Sequence, residues 1–173
     1  MPLPSTMTPI ANWTATAATT GVTFSNIPQG YTDLVIIANS IANVTGADLF
    51  VTQFNGDNAG TTYSFTELYG TGSSASSARS SNQSGFVLGW LTNYAQSEWS
   101  PSIFNIMNYS NSTTYKTILL RTGTVTTTGG YTDLAVGTWR NTNAITSIYM
   151  RTVNGYQMKT GTTISVYGIK AAS

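Results

Sequence analysis

Tyr31-Thr32-Asp33-Leu34-Val35-Ile36-Ile37-Ala38 is the stretch on which the fold turns. β-Branched and aromatic side chains fill it, Pro28-Gln29-Gly30 opens it and Asn39-Ser40 closes it, which is the punctuation of a strand. Its second half is almost wholly apolar, so a central, well-buried strand is expected. Working outward, Asp48 to Phe54 alternates, with Leu49, Val51 and Gln53 on one face and Phe50, Thr52 and Phe54 on the other. Asn55-Gly56-Asp57-Asn58-Ala59-Gly60 then reads as a turn cluster, since Asn and Gly tolerate positive φ. Tyr63, Phe65, Glu67 and Tyr69 fall on one face of the next strand.

Thr71 to Ser84, nearly all Gly, Ser, Ala, Asn and Gln around Arg79, reads as a long surface loop. Further strands are expected over 85–92, 102–109, 115–122, 134–140, 145–152 and 163–169, with short ones at 13–16 and 22–24. No window carries a sustained i, i+3, i+4, i+7 apolar stripe. The pattern predicts an all-β fold with little helix: an antiparallel β-sandwich of about ten strands, jelly-roll-like. One domain is expected over 11–173, preceded by an N-terminal arm over 1–10 in which Pro2, Leu3, Pro4 and Ile10 are candidate docking residues. Gly30-Tyr31-Thr32-Asp33-Leu34 recurs as Gly130-Tyr131-Thr132-Asp133-Leu134. The simplest account is a good turn-to-strand entry used twice, since a solenoid needs shorter and more numerous repeats.

Composition narrows the chemistry. The 173 residues contain no Cys and no His, which removes disulfides, thiolate zinc sites and every Ser-His or Cys-His catalytic arrangement. Only 8% of residues are charged, against about 25% in an ordinary soluble domain. Seven basic and six acidic side chains leave a net charge of +1. The basic residues are scattered singly, without the stripe that a nucleic-acid binder carries, so no nucleic-acid partner is expected. Near-neutrality leaves little electrostatic repulsion between copies and favours an oligomer. No stretch approaches the ~18 apolar residues of a membrane span, and the opening residues lack the pattern of a secretory signal. Synthesis in the cytoplasm is expected, with no membrane partner.

Few groups could carry a reaction. Glu67 and Glu98, beside Tyr69 and Trp99, are the best candidates for a pair of glycosidase carboxylates, which must flank a bond about 5–5.5 or 6.5–9.5 Å apart. Each reads more simply as a surface strand residue. Asn55-x-Asp57 fails as a calcium loop, because Ala59 and Thr66 stand where that loop needs oxygen ligands. No phosphate-cradling loop is present. Trp13, Trp90, Trp99 and Trp139 fit a sandwich core, with Trp99, next to Ser100-Pro101, the better candidate for exposure. No catalytic residue, cofactor or metal is expected.

Phe24-Ser25-Asn26-Ile27-Pro28-Gln29-Gly30-Tyr31-Thr32-Asp33-Leu34, Phe54-Asn55-Gly56-Asp57 and Tyr69-Gly70-Thr71-Gly72-Ser73 resemble a recurrent module of tailed-bacteriophage structural proteins. Asn143-Ala144-Ile145-Thr146-Ser147-Ile148 and Ser165-Val166-Tyr167-Gly168-Ile169-Lys170 continue the resemblance in order, so it spans nearly the whole chain. Such modules occur as capsid decoration or cement proteins and as parts of tail fibres. The resemblance implies a virion protein made in the host cytoplasm. It would sit on the head surface as a homotrimer bound to the major capsid protein, with the arm reaching a neighbouring subunit. A tail-tip module recognising host polysaccharide is the alternative. The family supplies no catalytic residues.

Overall fold

The computed structural model describes residues 6–43, 46–93, 99–125 and 129–170, with the side chains at 46–47, 90–93 and 125 excepted. Twelve strands and no helix form among the described residues: β1 (Met7–Thr14), β2 (Gly21–Phe24), β3 (Asp33–Ser40), β4 (Gly46–Phe54), β5 (Tyr63–Gly70), β6 (Ala75–Gln83), β7 (Phe86–Asn93), β8 (Ser100–Met107), β9 (Lys116–Val125), β10 (Gly130–Trp139), β11 (Ile148–Thr152) and β12 (Thr163–Ile169). They build two antiparallel sheets. The large one runs β1-β12-β3-β8-β9-β10-β5-β6 and the small one β2-β11-β4-β7. This is the expected antiparallel sandwich, with two strands more than the approximate expectation.

The opening stretch behaves as its pattern demands. Leu34, Ile36 and Ala38 point into the core from β3, which lies between β12 and β8 in the large sheet. They join Phe104 and Ile106 of β8 and Ile118 and Leu120 of β9, facing Phe50 and Phe54 of β4 and Phe86 and Leu88 of β7. Aromatic edges knit the two layers: Phe50 meets Phe104 at 6.3 Å and 72°, and Phe54 meets Trp139 at 5.5 Å and 68°. Such edge-to-face pairs add about 0.5–1.5 kcal/mol each beyond the area they bury. Gly137 lets Phe86 lie against β10, since a Cβ there would come within 2.3 Å of its ring.

Residues 54–57 close a tight turn, with Asn55 and Gly56 at φ of 53° and 70° and the Asp57 N–H donating to the Phe54 carbonyl. Asn55 also accepts from the backbone of Thr146 and Ser147, which ties this turn to the entry of β11.

Two segments differ from the sequence reading. Ala75–Gln83, expected inside a long loop, is β6, the outermost strand beside β5. Its side chains are almost all exposed, so the strand is held mainly by its backbone ladder, with Asn82 accepting from Arg140, and its composition carries no strand signal. Of the segment expected to be an arm, Met7–Ile10 form the first half of β1, which pairs with β12, and Ile10 packs half-buried against the core. Pro2, Leu3 and Pro4 lie outside the described residues.

Candidate functional site

The large sheet has twice as many strands as the small one, and its outward face has no described layer over it. Cross-strand registers assign this face two parallel rows. One runs Ile37–Ile103–Arg121–Leu134–Leu68 across β3, β8, β9, β10 and β5. The next, two residues along every strand, runs Val35–Asn105–Leu119–Val136–Thr66. Leu68, Leu134 and Val136 are 60%, 46% and 47% exposed, and Ile37 is 37% exposed. Scattered exposed hydrophobes are ordinary, but a contiguous apolar patch on a sheet face marks a contact surface.

Two hollows flank β5 on this side. One, of about 290 Å³, is lined by Ser64, Thr66, Arg79, Val136 and Thr138 among others. The second, of about 540 Å³, includes Leu68, Gly70, Ser77 and Thr132 in its wall. The apolar knobs and the hollows therefore share one face.

Beneath that patch, on the inward side of the same two strands, lies an acid pair. Glu67 of β5 and Asp133 of β10 are hydrogen-bonded to each other. Asp133 is only 4% exposed, and its Oδ1 has no hydrogen-bond partner. Burial, reinforced by the neighbouring Glu67 carboxylate, pushes the Asp133 carboxyl up to about 7. Burial also raises Glu67, against the lowering effect of its bond from Asp133. Two carboxyls this close share a proton, because like charges in contact cannot both ionise cheaply. Two carboxyls that hydrogen-bond each other leave no room for a glycosidic bond between them. Glu98, the partner that sequence reasoning gave to Glu67, lies outside the described residues.

The remaining candidates have structural partners. Asp57 caps its own turn and accepts from Trp139 Nε1 at 2.7 Å and from the Ala59 N–H at 3.2 Å. Burial alone would raise its carboxyl, but hydrogen bonds from Trp139, Ala59, Thr62 and Asn141 outweigh this and hold it below the usual value. Trp139 is fully buried and stacks on Tyr63 at 6.3 Å and 18°. Trp13 packs half-buried against the core, and the Trp90 side chain lies outside the description. Trp99 is 39% exposed, with its ring edge 3.2 Å from where a Cβ on Gly161 would sit. It stands before the start of β8, while Tyr115, also exposed, stands before the start of the antiparallel β9. These two rings therefore sit at opposite ends of the sheet and do not form one stacking platform.

Two buried polar groups had no sequence signal. Lys116 is fully buried and donates to the carbonyls of Thr114 at 2.8 Å and Thr142 at 2.9 Å, and burial lowers its pKa. Asp48 accepts from the Leu49 N–H and from Asn154 Nδ2, and burial still raises its carboxyl. No cluster of three metal-ligating side chains occurs among the described residues. No family model, no curated protein and no solved structure matches this chain.

Proposed function

We propose that the protein is a structural component of a tailed-phage virion, a decoration or cement protein that works by association. In this reading it sits on the head surface as an oligomer against the major capsid protein. The observation that carries the proposal is the uncovered outward face of the large sheet. Leaving Leu68, Leu134 and Val136 about half exposed forgoes roughly half of the ~1.5–3 kcal/mol that full burial of each contributes, a cost that docking recovers. A chain with 8% charged residues has little else with which to bind a partner. The order of the strands also supports the jelly-roll reading. Without β5, β6, β9 and β10, which extend the large sheet, the chain crosses from one sheet to the other at every step but β4 to β7, which are neighbours in the small sheet.

The test is copy number in purified particles, measured by quantitative mass spectrometry against the major coat protein. A ratio comparable to the coat protein is expected. A few copies per particle would move the protein to the tail, where host-glycan binding becomes the question, and its absence from particles would end the virion reading.

A further inference from the structure

We infer that the outward face of the large sheet docks a second copy of this chain, with the apolar rows through Leu134 and Val136 at the centre of the contact. The inference rests on the reading that the protein works by association, and it names the surface and the occupant.

Area is the first argument. Eight strands at ~4.8 Å spacing span about 34 Å, and three successive rows of outward residues, the two above and Met107–Thr117–Thr138–Ser64 beside them, cover about 20 Å, or roughly 700 Å² of face. Two such faces bury about 1,400 Å², inside the range of about 1,200–2,000 Å² for stable protein contacts. Shape is the second. A gently twisted sheet face is complemented by another of the same kind, as within any sandwich. The two rows lie two residues apart along each strand, so a two-fold axis running across the strands between them lays each row on the other. Leu134 of one copy then meets Val136 of the other, a self-complementary contact of the isologous kind. The hollows along β5 receive what the opposite face raises.

Charge is the third argument. With a net charge of +1 two copies scarcely repel, whereas selecting a foreign partner by electrostatic complementarity needs more charge than the one Arg121 that the two rows carry. Arg121 is the single charged side chain within the two rows, and its aliphatic stem can lie along the apolar surface while the guanidinium reaches the rim. The edges of the large sheet offer no rival. β1 carries Pro9 and a register shift, and β6 carries a register shift and Asn82 at a φ of 56°. Both are devices that blunt edge-to-edge pairing.

The experiment uses the full chain in sedimentation velocity and native mass spectrometry across a dilution series. The wild type is expected to associate, while Leu134→Glu and Leu68→Glu weaken association by roughly 30-fold or more, as loss of an interface hot spot does. Both should keep the wild-type circular-dichroism spectrum, and Tyr115→Ser, away from the two rows, should associate like the wild type. The chain has no cysteine, so Val136→Cys introduces the sole thiol. A short bis-maleimide should then join two copies through position 136 but not through Ser112→Cys in an exposed turn. The Val136→Cys result decides the matter if the Glu variants fail to fold. A wild type that stays monomeric at every concentration overturns the inference while leaving the virion reading to the copy-number measurement. Association that survives both Glu substitutions, without cross-linking at 136, overturns it too.

Discussion

Gly-Tyr-Thr-Asp-Leu stands at 30–34 and again at 130–134, and the same sheet turns the two copies over. In the first, Leu34 is in the core and Asp33 faces outward, accepting the Asn108 N–H at 2.7 Å. In the second, Asp133 is buried and Leu134 is 46% exposed. Strand side chains alternate, so a shift of one residue exchanges every inside position for an outside one. What differs is the sequence downstream. After Leu34 come Ile36 and Ala38 at core positions, whereas after Asp133 come Ala135, Gly137 and Trp139. Trp139 stacks on Tyr63 and donates to Asp57, and Gly137 is the only residue that leaves room for Phe86. Those anchors set the inside of β10, and Leu134 and Asp133 take the faces left to them. A short repeat thus carries no fixed role. Here the second copy supplies both an exposed apolar patch and a buried carboxyl.

The contrast can be broken at its anchors. Trp139→Ala should have the largest effect, lowering stability in urea by about 3–5 kcal/mol, because it empties the site that fixes the inside of β10. Leu34→Ala, in the first copy, should lower stability by about 2–5 kcal/mol in the same titration. Gly137→Ala forces a methyl into the Phe86 ring and should cost about 1–3 kcal/mol, read as a drop in melting temperature.

The acid pair sharpens the contrast through pH. The Asp133 carboxyl is raised from 3.8 to about 7, so the folded chain holds a proton that the unfolded chain releases between those values. Its contribution to stability is therefore full below 3.8 and declines as pH rises to about 7, then levels off. Melting temperatures across this window should fall in the wild type and fall less in Asp133→Asn. The half-exposed Glu67 lets water screen part of the repulsion, which keeps the effect modest. An unchanged slope in Asp133→Asn would show that the pair does not share a proton. At the small end, Leu134→Ala should shift stability of the dilute monomer by less than about 0.5 kcal/mol, although the four residues before it equal those before Leu34.

Much of the fold was legible because alternation is local. The apolar run of β3 and the alternating faces of β5 are readable from a few neighbouring residues, and the Asn55-Gly56 turn needs only four. β6 was not legible, since its Ser- and Ala-rich segment pairs through the backbone and buries nothing. Lys116 gave no signal because the second carbonyl that satisfies it comes from Thr142, 26 residues away. The Glu67–Asp133 pair depends on β10 lying beside β5, a neighbourhood set by strand order rather than by either segment. The outward patch was half legible. Leu134 and Val136 are plainly apolar, but that they face water is decided by Trp139 and Phe86 on the other side.

Single cysteines at the two matching positions test the central claim most directly. In Leu34→Cys and Leu134→Cys, maleimide labelling of the native chain is timed in dilute solution and again where association is complete. Position 34 should be protected in both conditions, while position 134 should react quickly when dilute and become protected on association. Equally fast labelling of position 134 in both conditions would contradict a working surface on the outward face of the large sheet.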